Sequence, residues 1–590
     1  MRQKTLLGTF VTLGFLFGSV FVTLVVAALA AQLEPVLALG LGIGFTCLWA
    51  LLMWLLSPLI MDLIQRWVYK AQSITLDELG QRRPALAHFI AGVCQKHRIP
   101  VPRLKLIEDG TPQAYCYGSH AGNARLVVTA GILHYLDDEE AKAVYAHELG
   151  HIVHRDFIVM TLAATLLQIL WNVYVVSKSV RGKQNSRPLL PVALAALVFY
   201  WFGTYMLLFL SRSREYYADA FSAEETGNAN ALSMALVKIA YGLTRETPTP
   251  LSVKLMGGTR ALGISDPKAG RTAGIAFQMT GTSAAMAHAV QGYGAPGAVG
   301  VPMAVPAVLD GVRRIEKVLL FDLYNPWAAV LELGSTHPLT GKRIRALSEQ
   351  SIAAGRAPLM SLDRVDAQGR ELDMTRMYGA FFFELALNFL PYILGVMATM
   401  AVTGMALLGA AKLAVPALGL VVAAVGFGMT IKGFYRFGPL GEPPPASTLE
   451  LMSDPYASPL RGRPVRLGGV IVGRADAGNR IGEDFVLEDP GGGLMPINYE
   501  SVFGFLGNWY FSAKKLNRLL QQPVEVVGWF RRGITHQVDL DRMQSGAGPT
   551  ASYTGFWGRA GGVVVMLLGL GSRAAVAYRL SDARRLTDPS

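Results

Sequence analysis

Long apolar runs constrain this 590-residue sequence more than any other feature. An α-helix needs ~20 apolar residues to span a bilayer, and four runs reach that length: residues 6–31, 35–63, 157–176 and 189–210. A longer run at 381–427 is interrupted by Pro391 and Pro416, which predicts two further spans. The first run exceeds the apolar core of a signal peptide, about 7 to 15 residues, and is interpreted as a retained span. The sequence therefore predicts a membrane protein with six spans.

Composition supports a lipid environment and argues against a nucleic-acid-binding protein. The chain is 52% hydrophobic and only 16% charged, whereas typical soluble domains carry ~25% charged residues. Its net charge of +12 comes from Lys and Arg residues scattered around the apolar runs and not gathered in one basic stripe. The three cysteines have no CxxC spacing, which indicates neither a disulfide framework nor a cysteine-bound metal. We therefore expect the bilayer as a partner and no nucleic acid.

Polar segments between the apolar runs predict the soluble parts of the chain. Helical patterning at 76–97 and strand-like runs at 103–107 and 125–129 predict an α+β segment between the second and third spans. Residues 247–306 are rich in Gly, Ala, Ser and Thr, which predicts a loop or insertion. The fold class expected is a mainly α, multi-span membrane protein that carries an α+β soluble domain.

A change of character after the Pro-rich stretch 442–446 predicts a last domain. Short β-type runs at 465–472, 484–487 and 524–530 are separated by turn residues, which favours a small β domain, with an OB-like barrel as one form. An apolar patch at 561–570 is too short to assign as a span. The predicted division is two spans at 1–65, soluble segments at 66–156 and 211–376 around a membrane hairpin at 157–210, two spans at 377–436, and a β-rich domain at 437–590.

His147, Glu148 and His151 form an HExxH motif. Residues i and i+4 share one face of an α-helix, so both imidazoles can bind one Zn²⁺ while the glutamate reaches the open coordination position. A helix from Asp138 to Ile152, capped by Asp137 or Asp138, would carry them. A five-residue motif also arises by chance, so the surrounding sequence has to decide.

Glu215 and Asp219 form a second i, i+4 pair, just after the fourth apolar run. A catalytic zinc takes three protein ligands and leaves its fourth position to water. Glu215 is the candidate third ligand, and Asp219 the candidate partner for the spare N–H of a ligating histidine. The alternative is an ordinary solvated helix start. Because a membrane hairpin separates the two motifs and brings its ends together, it would deliver Glu215 to the histidines at the membrane edge.

The sequences AHELGHIVHRD at 146–156 and SRSREYYADAFSAEETG at 211–227 flank this hairpin. Together with Ser335-Thr336-His337-Pro338 and Arg343, they resemble the HtpX-like integral-membrane metalloproteases over roughly residues 5–350. The resemblance implies a zincin-like fold and zinc-dependent peptide hydrolysis at the cytoplasmic face of a bacterial inner membrane. It also implies His147, His151 and Glu215 as ligands, Glu148 as base, and a role in clearing damaged membrane proteins.

Two further elements have both functional and structural interpretations. His337 could donate a hydrogen bond to the tetrahedral oxyanion, or it could be a turn residue before Pro338. An edge strand that includes Ala114 and Tyr115 could pair with an extended polypeptide substrate, or it could be an internal strand. This chain has Gln113-Ala114-Tyr115 where the family usually has Asn-Ala-Phe, which puts a side-chain contact from Gln113 in doubt.

Two other functions remain open at this point. A CAAX prenyl protease also combines several spans with HExxH and a downstream ExxxD, although SRSREYYAD is closer to the HtpX-like pattern. A non-catalytic membrane scaffold would retain the fold but has no evident need for Glu148. Lys and Arg near the span ends are more numerous on the side that carries the HExxH motif, which predicts that this side is cytoplasmic.

Overall fold

The computed structural model describes residues 11–23, 35–179, 189–245, 251–252, 254–255, 263–264, 305–474, 483–533 and 536–587. It confirms the predicted fold class, because helices predominate, six of them are long and apolar enough to cross a membrane, and a small β barrel lies in the C-terminal part. Almost all of the predicted Gly-rich insertion at 247–306 lies outside the described residues.

The helices of the described residues are α1 (Val11–Thr23), α2 (Pro35–Trp67), α3 (Leu76–Arg82), α4 (Pro84–Lys96), α5 (Ala130–Tyr135), α6 (Asp138–Val153), α7 (Asp156–Ser179), α8 (Leu190–Thr226), α9 (Ala229–Arg245), α10 (Val305–Tyr324), α11 (Pro326–Leu333), α12 (Thr340–Ala353), α13 (Leu362–Arg370), α14 (Met374–Leu407), α15 (Ala411–Arg436), α16 (Thr448–Met452), α17 (Phe505–Tyr510) and α18 (Thr554–Thr587). The strands are β1 (Gln72–Ile74), β2 (Arg103–Ile107), β3 (Ala114–Tyr117), β4 (Arg125–Thr129), β5 (Arg463–Arg474), β6 (Phe485–Glu488), β7 (Leu494–Asn498), β8 (Pro523–Arg532), β9 (His536–Ser545) and β10 (Gly548–Ala551).

Among the described residues, the six helices that are long and apolar enough to span a membrane include one that the sequence had not indicated as a span. Five belong to predicted spans, and they are the segments Cys47–Trp67, Asp156–Val175, Leu190–Thr226, Met374–Leu407 and Val415–Arg436. Of the first predicted span only α1 is described, and its other residues lie outside the described part. The sixth is Thr554–Ala577, which contains the apolar patch that the sequence analysis left unassigned.

Glycines explain why the sequence shows only a short apolar patch in this last span. A Cβ atom at Gly562 would overlap the backbone of α15 at Thr430, and a Cβ atom at Gly426 of α15 would overlap the backbone at Met566. Small residues that let two helices approach closely are typical of membrane helix pairs. The glycines lower the hydropathy of α18 while they allow it to pack against α15.

The α+β segment is a four-stranded sheet with helices packed on it. The strand order is β1-β2-β4-β3, with β2 and β4 parallel and the other pairs antiparallel. Strands β2 and β4 have the predicted bounds, but the single helix predicted at 76–97 is two helices. Pro84, the first residue of α4, explains the break, because proline is favoured at a helix start and lacks the N–H that a helix interior needs.

The fourth span and the segment after it form one continuous helix. α8 runs from Leu190 to Thr226 without interruption, so Glu215 and Asp219 lie on the same helix as the fourth predicted span. It ends at Gly227, which has φ +61°, the left-handed conformation that glycine adopts readily at a helix C-terminus.

The C-terminal strands form a closed barrel. Hydrogen bonding runs in the order β5-β6-β7-β9-β8 and returns from β8 to β5, with β10 added at the side of β9. The pair β7 and β9 is parallel, and α17 lies between β7 and β8 along the chain. A five-stranded barrel with this helix is the arrangement of an OB fold, one of the forms predicted. Only β5, β6 and β8 had been indicated by the sequence.

The chain divides into two compact units, each with its own internal contacts. The first contains residues 1–323 and 329–367, and thus the four-stranded sheet and α1 to α9. The second contains residues 324–328 and 368–590, and thus α14, α15, the barrel and α18.

Candidate metal centre and active site

The start of α6 is fixed by side chains that cap it. The backbone N–H of Glu140 donates to Asp137 Oδ1 at 2.9 Å, and that of Asp137 donates to Glu140 Oε2 at 3.0 Å, which is a capping box. Lys238 of α9 also contacts Glu140, with its Nζ 2.6 Å from Oε1. His147 and Glu148 therefore lie more than two turns inside a well-anchored helix.

α6 packs against α8 at close range. A Cβ atom at Gly150 would lie 3.1 Å from the ring of Phe221 and 3.3 Å from the Cα of Ala218, so a glycine is needed for this approach. Ser222 Oγ donates to the carbonyl oxygen of Ala143 at 2.7 Å and joins the two helices. This packing sets the distance between the HExxH motif and the acidic residues of α8.

His147, His151 and Glu215 come together at this contact, as their spacing predicted. The two Nε2 atoms are 3.2 Å apart, and each lies 3.6 Å from an oxygen of Glu215. In a tetrahedral site with metal–ligand bonds of about 2.0–2.1 Å, neighbouring ligand atoms lie about 3.3 Å apart. Within the described part of the chain, this is the cluster of three His, Cys, Asp or Glu side chains that could hold a metal ion. The residues present fit a divalent metal.

A carboxylate supports each of the two imidazoles. His147 Nδ1 lies 3.0 Å from Asp219 Oδ1, and His151 Nδ1 lies 2.7 Å from Asp156 Oδ2. Both contacts leave Nε2 facing the cluster and orient the ring, which is what a ligating histidine requires. Asp219 stands where the sequence analysis placed it. Asp156 was missed, although its position five residues after His151, at the first residue of α7, was a usable signal.

Each supporting carboxylate has its own arginine. Arg343 of α12, which is 2% exposed, contacts Asp219 with two donors: Nε to Oδ2 at 2.9 Å and Nη2 to Oδ1 at 2.6 Å. Arg214 Nε donates to Asp156 Oδ1 at 2.5 Å. In the sequence, Arg343 stood out only as part of the resemblance, and the structure shows that it contacts Asp219. A buried pair with two hydrogen bonds fixes Asp219, and thereby His147, in one position.

Glu148 is buried, and neither of its carboxylate oxygens has a hydrogen-bond partner among the described residues. The same is true of Glu215 Oε2. Buried polar atoms are nearly always satisfied, so such atoms point to a bound ion or water between them. Burial raises the pKa of Glu148, which favours a carboxylate that takes up a proton readily.

The two imidazoles differ in protonation. Burial lowers the pKa of His147 to about 4, so its ring is neutral at pH 7. Burial acts the same way on His151, but its hydrogen bond to Asp156 and the charges of Asp156 and Glu215 outweigh it and raise the pKa to about 9. Only a neutral imidazole ligates a metal, so metal uptake would release a proton from His151.

His337 lies beside the cluster. Its Nε2 is 3.6 Å from Glu215 Oε1, and the side chain is 3% exposed. Thr336 Oγ1 lies 2.9 Å from its Nδ1. Arg212 of α8 donates to the carbonyl oxygen of Ser335 at 2.8 Å and holds the turn. The imidazole is therefore positioned near the reacting centre, as the oxyanion-donor interpretation needs.

β3 is the outermost strand of its sheet, and it pairs only with β4 among the described strands. At its free edge the backbone N–H of Ile264 donates to the carbonyl oxygen of Ala114 at 3.0 Å. Arg343 in turn donates to the carbonyl oxygen of Ile264 at 2.5 Å. A substrate strand that pairs with Ala114 would take the place of Ile264.

Tyr115, predicted as a substrate-binding residue, lies less directly at the free edge of β3 than Ala114. Residues of an antiparallel strand alternate between facing the neighbouring strand and facing away from it. Ala114 faces away, so the peptide groups of Tyr115 face β4, and its buried phenol is hydrogen-bonded to Gln65 at 2.7 Å. Cys116, the next residue that faces the free edge, is better placed, with its Sγ 3.5 Å from the carbonyl oxygen of Glu148.

Comparison with known proteins gives a consistent result. The sequence pattern of Peptidase family M48 matches residues 80–351. A relative from Methanothermobacter thermautotrophicus, described as Protease HtpX homolog, is 33% identical over 244 residues, 41% of this chain and 87% of the relative. Proteins of the same description from a Nostoc species and from Pyrococcus abyssi are 35% and 33% identical, covering 34% of this chain and 70% and 69% of their own. No solved structure matches the chain.

Proposed function

The chain belongs to the HtpX-like metalloproteases of peptidase family M48, and from this premise we propose that it is a zinc-dependent endopeptidase that cleaves membrane or membrane-associated proteins at the bilayer surface. One observation carries the proposal. His147, His151 and Glu215 lie together near the ends of the spanning parts of α7 and α8. Beside them is the buried carboxylate of Glu148, whose oxygens have no hydrogen-bond partner among the described residues.

His147, His151 and Glu215 are the residues that would hold zinc. When bound, zinc supplies a Lewis acid that lowers the pKa of a water molecule toward ~7 and polarises the scissile carbonyl. Glu148 takes the proton of the attacking water and passes it to the leaving amine. His337 donates to the oxyanion that develops on the carbonyl oxygen.

The free edge of β3 orients the substrate in this proposal. The backbone groups of Ala114 and Cys116 pair with an extended polypeptide, and such main-chain pairing tolerates many sequences. An enzyme that clears damaged membrane proteins needs that tolerance, which is why we assign a role in protein quality control. Ile264 would have to leave its position at Ala114 first.

The position of the site along the chain favours membrane substrates. α7 begins five residues after His151, and Glu215 lies on the helix that forms the next span. Arg155 precedes the start of α7, and Arg66 and Lys70 lie at the end of α2. By the excess of Lys and Arg in cytoplasmic loops, we place the site at the cytoplasmic face of a bacterial plasma membrane.

The test is Glu148→Gln in full-length protein reconstituted into lipid vesicles. We expect kcat on casein and on a co-reconstituted membrane protein to fall about 10²–10⁴-fold, because the general base is lost. Zinc content should match that of wild type, since Glu148 is not a ligand. Glu224→Gln, which changes an exposed glutamate of α8, is the matched control. Equal cleavage rates for Glu148→Gln and wild type would contradict the proposal. Cleavage of a prenylated CAAX peptide alone would instead favour a CAAX prenyl protease.

A further inference from the structure

A cavity of about 270 Å³ adjoins the metal centre on the side that faces the spanning helices. His151 and Glu215 form part of its wall, so the cavity is continuous with the place where the scissile bond would lie. The rest of the wall comes from α2, β3, α7 and α8. An engineered cavity of about 150 Å³ is large enough for benzene, so this one accommodates a whole apolar side chain.

The lining of the cavity is mainly apolar, and besides the candidate ligands His151 and Glu215 its ionisable side chains include an internal charge pair. Met61, Phe157 and Met160 are among its apolar lining residues. Arg214 and Asp156 also line it, but they form an ion pair with each other. A charged substrate side chain would lose its water on entering this mainly apolar space, at a cost in desolvation. Methionine walls adapt to side chains of different shape.

The α2 wall is held in place by a polar cluster around Asp62. Its Oδ1 accepts from Lys105 Nζ at 2.6 Å and from Tyr117 Oη at 2.7 Å, and Arg125 Nε donates to Oδ2 at 3.1 Å. Tyr117 and Arg125 belong to β3 and β4, so this cluster ties α2 to the sheet. Met61, the neighbour of Asp62, and Ser57, one turn earlier, therefore have fixed positions in the cavity wall.

The cavity also reaches to the depth of the spanning helices. Ser57 lies ten residues before the end of α2 at Trp67, about 15 Å along a helix. Thr161, on the opposite wall, lies in the second turn of α7. A side chain that fills the cavity thus belongs to a substrate segment that is leaving the apolar part of the bilayer.

From these observations we propose that this cavity is a specificity pocket for one large apolar residue, such as Leu, Met or Phe, beside the scissile bond. The proposal rests on the proposed peptidase function and names its substrate class. Enzyme pockets discriminate by about 10–200-fold for each methylene group they fill, so large apolar residues should be preferred to Ala by at least about tenfold in kcat/KM.

Ser57→Phe tests the proposal, because the added ring would fill the cavity. The full chain in vesicles is given peptides that differ only at the two residues flanking the cleaved bond, and kcat/KM is compared for Phe and Ala. We expect wild type to prefer Phe at one position and Ser57→Phe to lose that preference there. Leu59→Phe, which adds a ring at an exposed position of α2, is the control and should behave as wild type.

Met160→Ala changes the cavity in the opposite direction to Ser57→Phe. By enlarging the cavity it should move the preference toward Trp at the same position, which keeps the test decisive if Ser57→Phe does not fold. A Phe preference that is unchanged in both variants would overturn the pocket while leaving the peptidase intact. Wild-type protein that cleaves none of the peptides would overturn the peptidase proposal itself.

A second inference comes from an independent feature of the barrel unit. The aromatic patch, defined as Phe503, Phe505, Leu506, Trp509 and Tyr510, lies on α17 and the turn before it. All five side chains are exposed, and the first three are 79%, 77% and 71% exposed. Monomeric soluble proteins seldom expose contiguous apolar surface of this kind unless it binds a partner or a membrane.

Hydrogen bonds place the aromatic patch at the start of α18. The backbone N–H of Tyr553 donates to the carbonyl oxygen of Glu500 at 2.7 Å, and Trp557 Nε1 donates to that of Ser501 at 3.1 Å. α18 carries the last candidate span, which begins at Thr554. Trp and Tyr are enriched where a protein crosses the membrane–water interface.

The geometry points to the aromatic patch as a lipid-binding surface that inserts into the interfacial layer of the same bilayer. Exposed Lys514, Lys515 and Arg518 follow it and can contact anionic headgroups. The barrel would then rest on the membrane through the aromatic patch in addition to its connection to α18.

Photolabelling of the full chain in lipid nanodiscs tests this surface. A lipid-phase carbene reagent should modify the peptide of residues 503–510 as strongly as the peptides of α18, and hydroxyl radicals in water should not reach it. The peptide that contains Ile352, half exposed on α12, is the water-phase control. Attack by hydroxyl radicals on 503–510, or protection from both reagents as in a contact between two copies, would overturn the inference.

Discussion

Two aspartates contact the imidazoles of the candidate metal ligands and can orient them. The Nδ1 atoms of His147 and His151 lie 3.0 and 2.7 Å from Asp219 and Asp156, and each aspartate is paired with an arginine. Loss of such a partner typically weakens metal binding 10–100-fold. Because an amide keeps the shape but not the charge, the aspartate-to-asparagine exchange isolates this electrostatic support.

Asp219→Asn should therefore weaken zinc binding about 10–100-fold, because it also removes the charge that Arg343 contacts with two hydrogen bonds and leaves that buried guanidinium with Glu215, 3.6 Å away. Competition with a metal chelator measures the dissociation constant. Asp77→Asn, at an exposed position of α3, is the control. Zinc affinity equal to wild type in Asp219→Asn would show that His147 is oriented by something else.

His337→Leu, which removes both ring nitrogens, separates two roles that the geometry allows. If His337 is an oxyanion donor, its replacement should lower kcat about 10²–10³-fold, with KM and zinc content nearly unchanged. If His337 is instead a further metal ligand, its replacement should lower the zinc content of the protein. Elemental analysis beside steady-state kinetics on the same preparation distinguishes the two. Full activity would leave His337 as a turn residue.

At the level of helices and strands, local patterns predicted more than pairings between distant segments. The bounds of β2, β4 and α6 follow from alternation, capping and spacing, which are local properties. The HExxH and Glu215 cluster was predictable for the same reason, since each pair shares one helix face. Arg343 contacts Asp219 across 124 residues of sequence, and nothing local indicates such a pair. The closure of the barrel by β8 and β9 was likewise beyond local patterns.

Gly150→Val should separate α6 from α8. The added methyl groups would meet Phe221 and the backbone of Ala218, which are already within 3.3 Å of a Cβ atom, and overpacking of this kind costs about 1–3 kcal/mol. We expect a lower melting temperature together with weaker zinc binding, because the ligands come from both helices. Gly92 is an exposed position of α4 where an added Cβ atom has open space, so Gly92→Val should change neither the melting temperature nor zinc binding. Normal zinc affinity in Gly150→Val would mean that the helices adjust without moving the ligands.

For the whole molecule, the metal centre and the barrel belong to different compact units. The sequence pattern of the family ends at residue 351, and all three candidate ligands and both supporting aspartates belong to the first unit. Residues 324–328 are an exception, since they lie within the matched range but group with the second unit. Trp327 of this segment donates to buried Glu384 of α14 at 2.7 Å.

Gly528→Ala tests whether the centre depends on a folded barrel. Gly528 sits at a β-bulge between β8 and β9, and a Cβ atom there would overlap the carbonyl oxygen of Asp539. The variant should make residues 463–551 sensitive to a protease, whereas Gly546→Ala, at an open turn of the same sheet, should not. We expect zinc content to be the same in both, because no ligand or supporting carboxylate lies in the barrel. Loss of zinc in Gly528→Ala alone would show that the metal centre depends on a folded barrel.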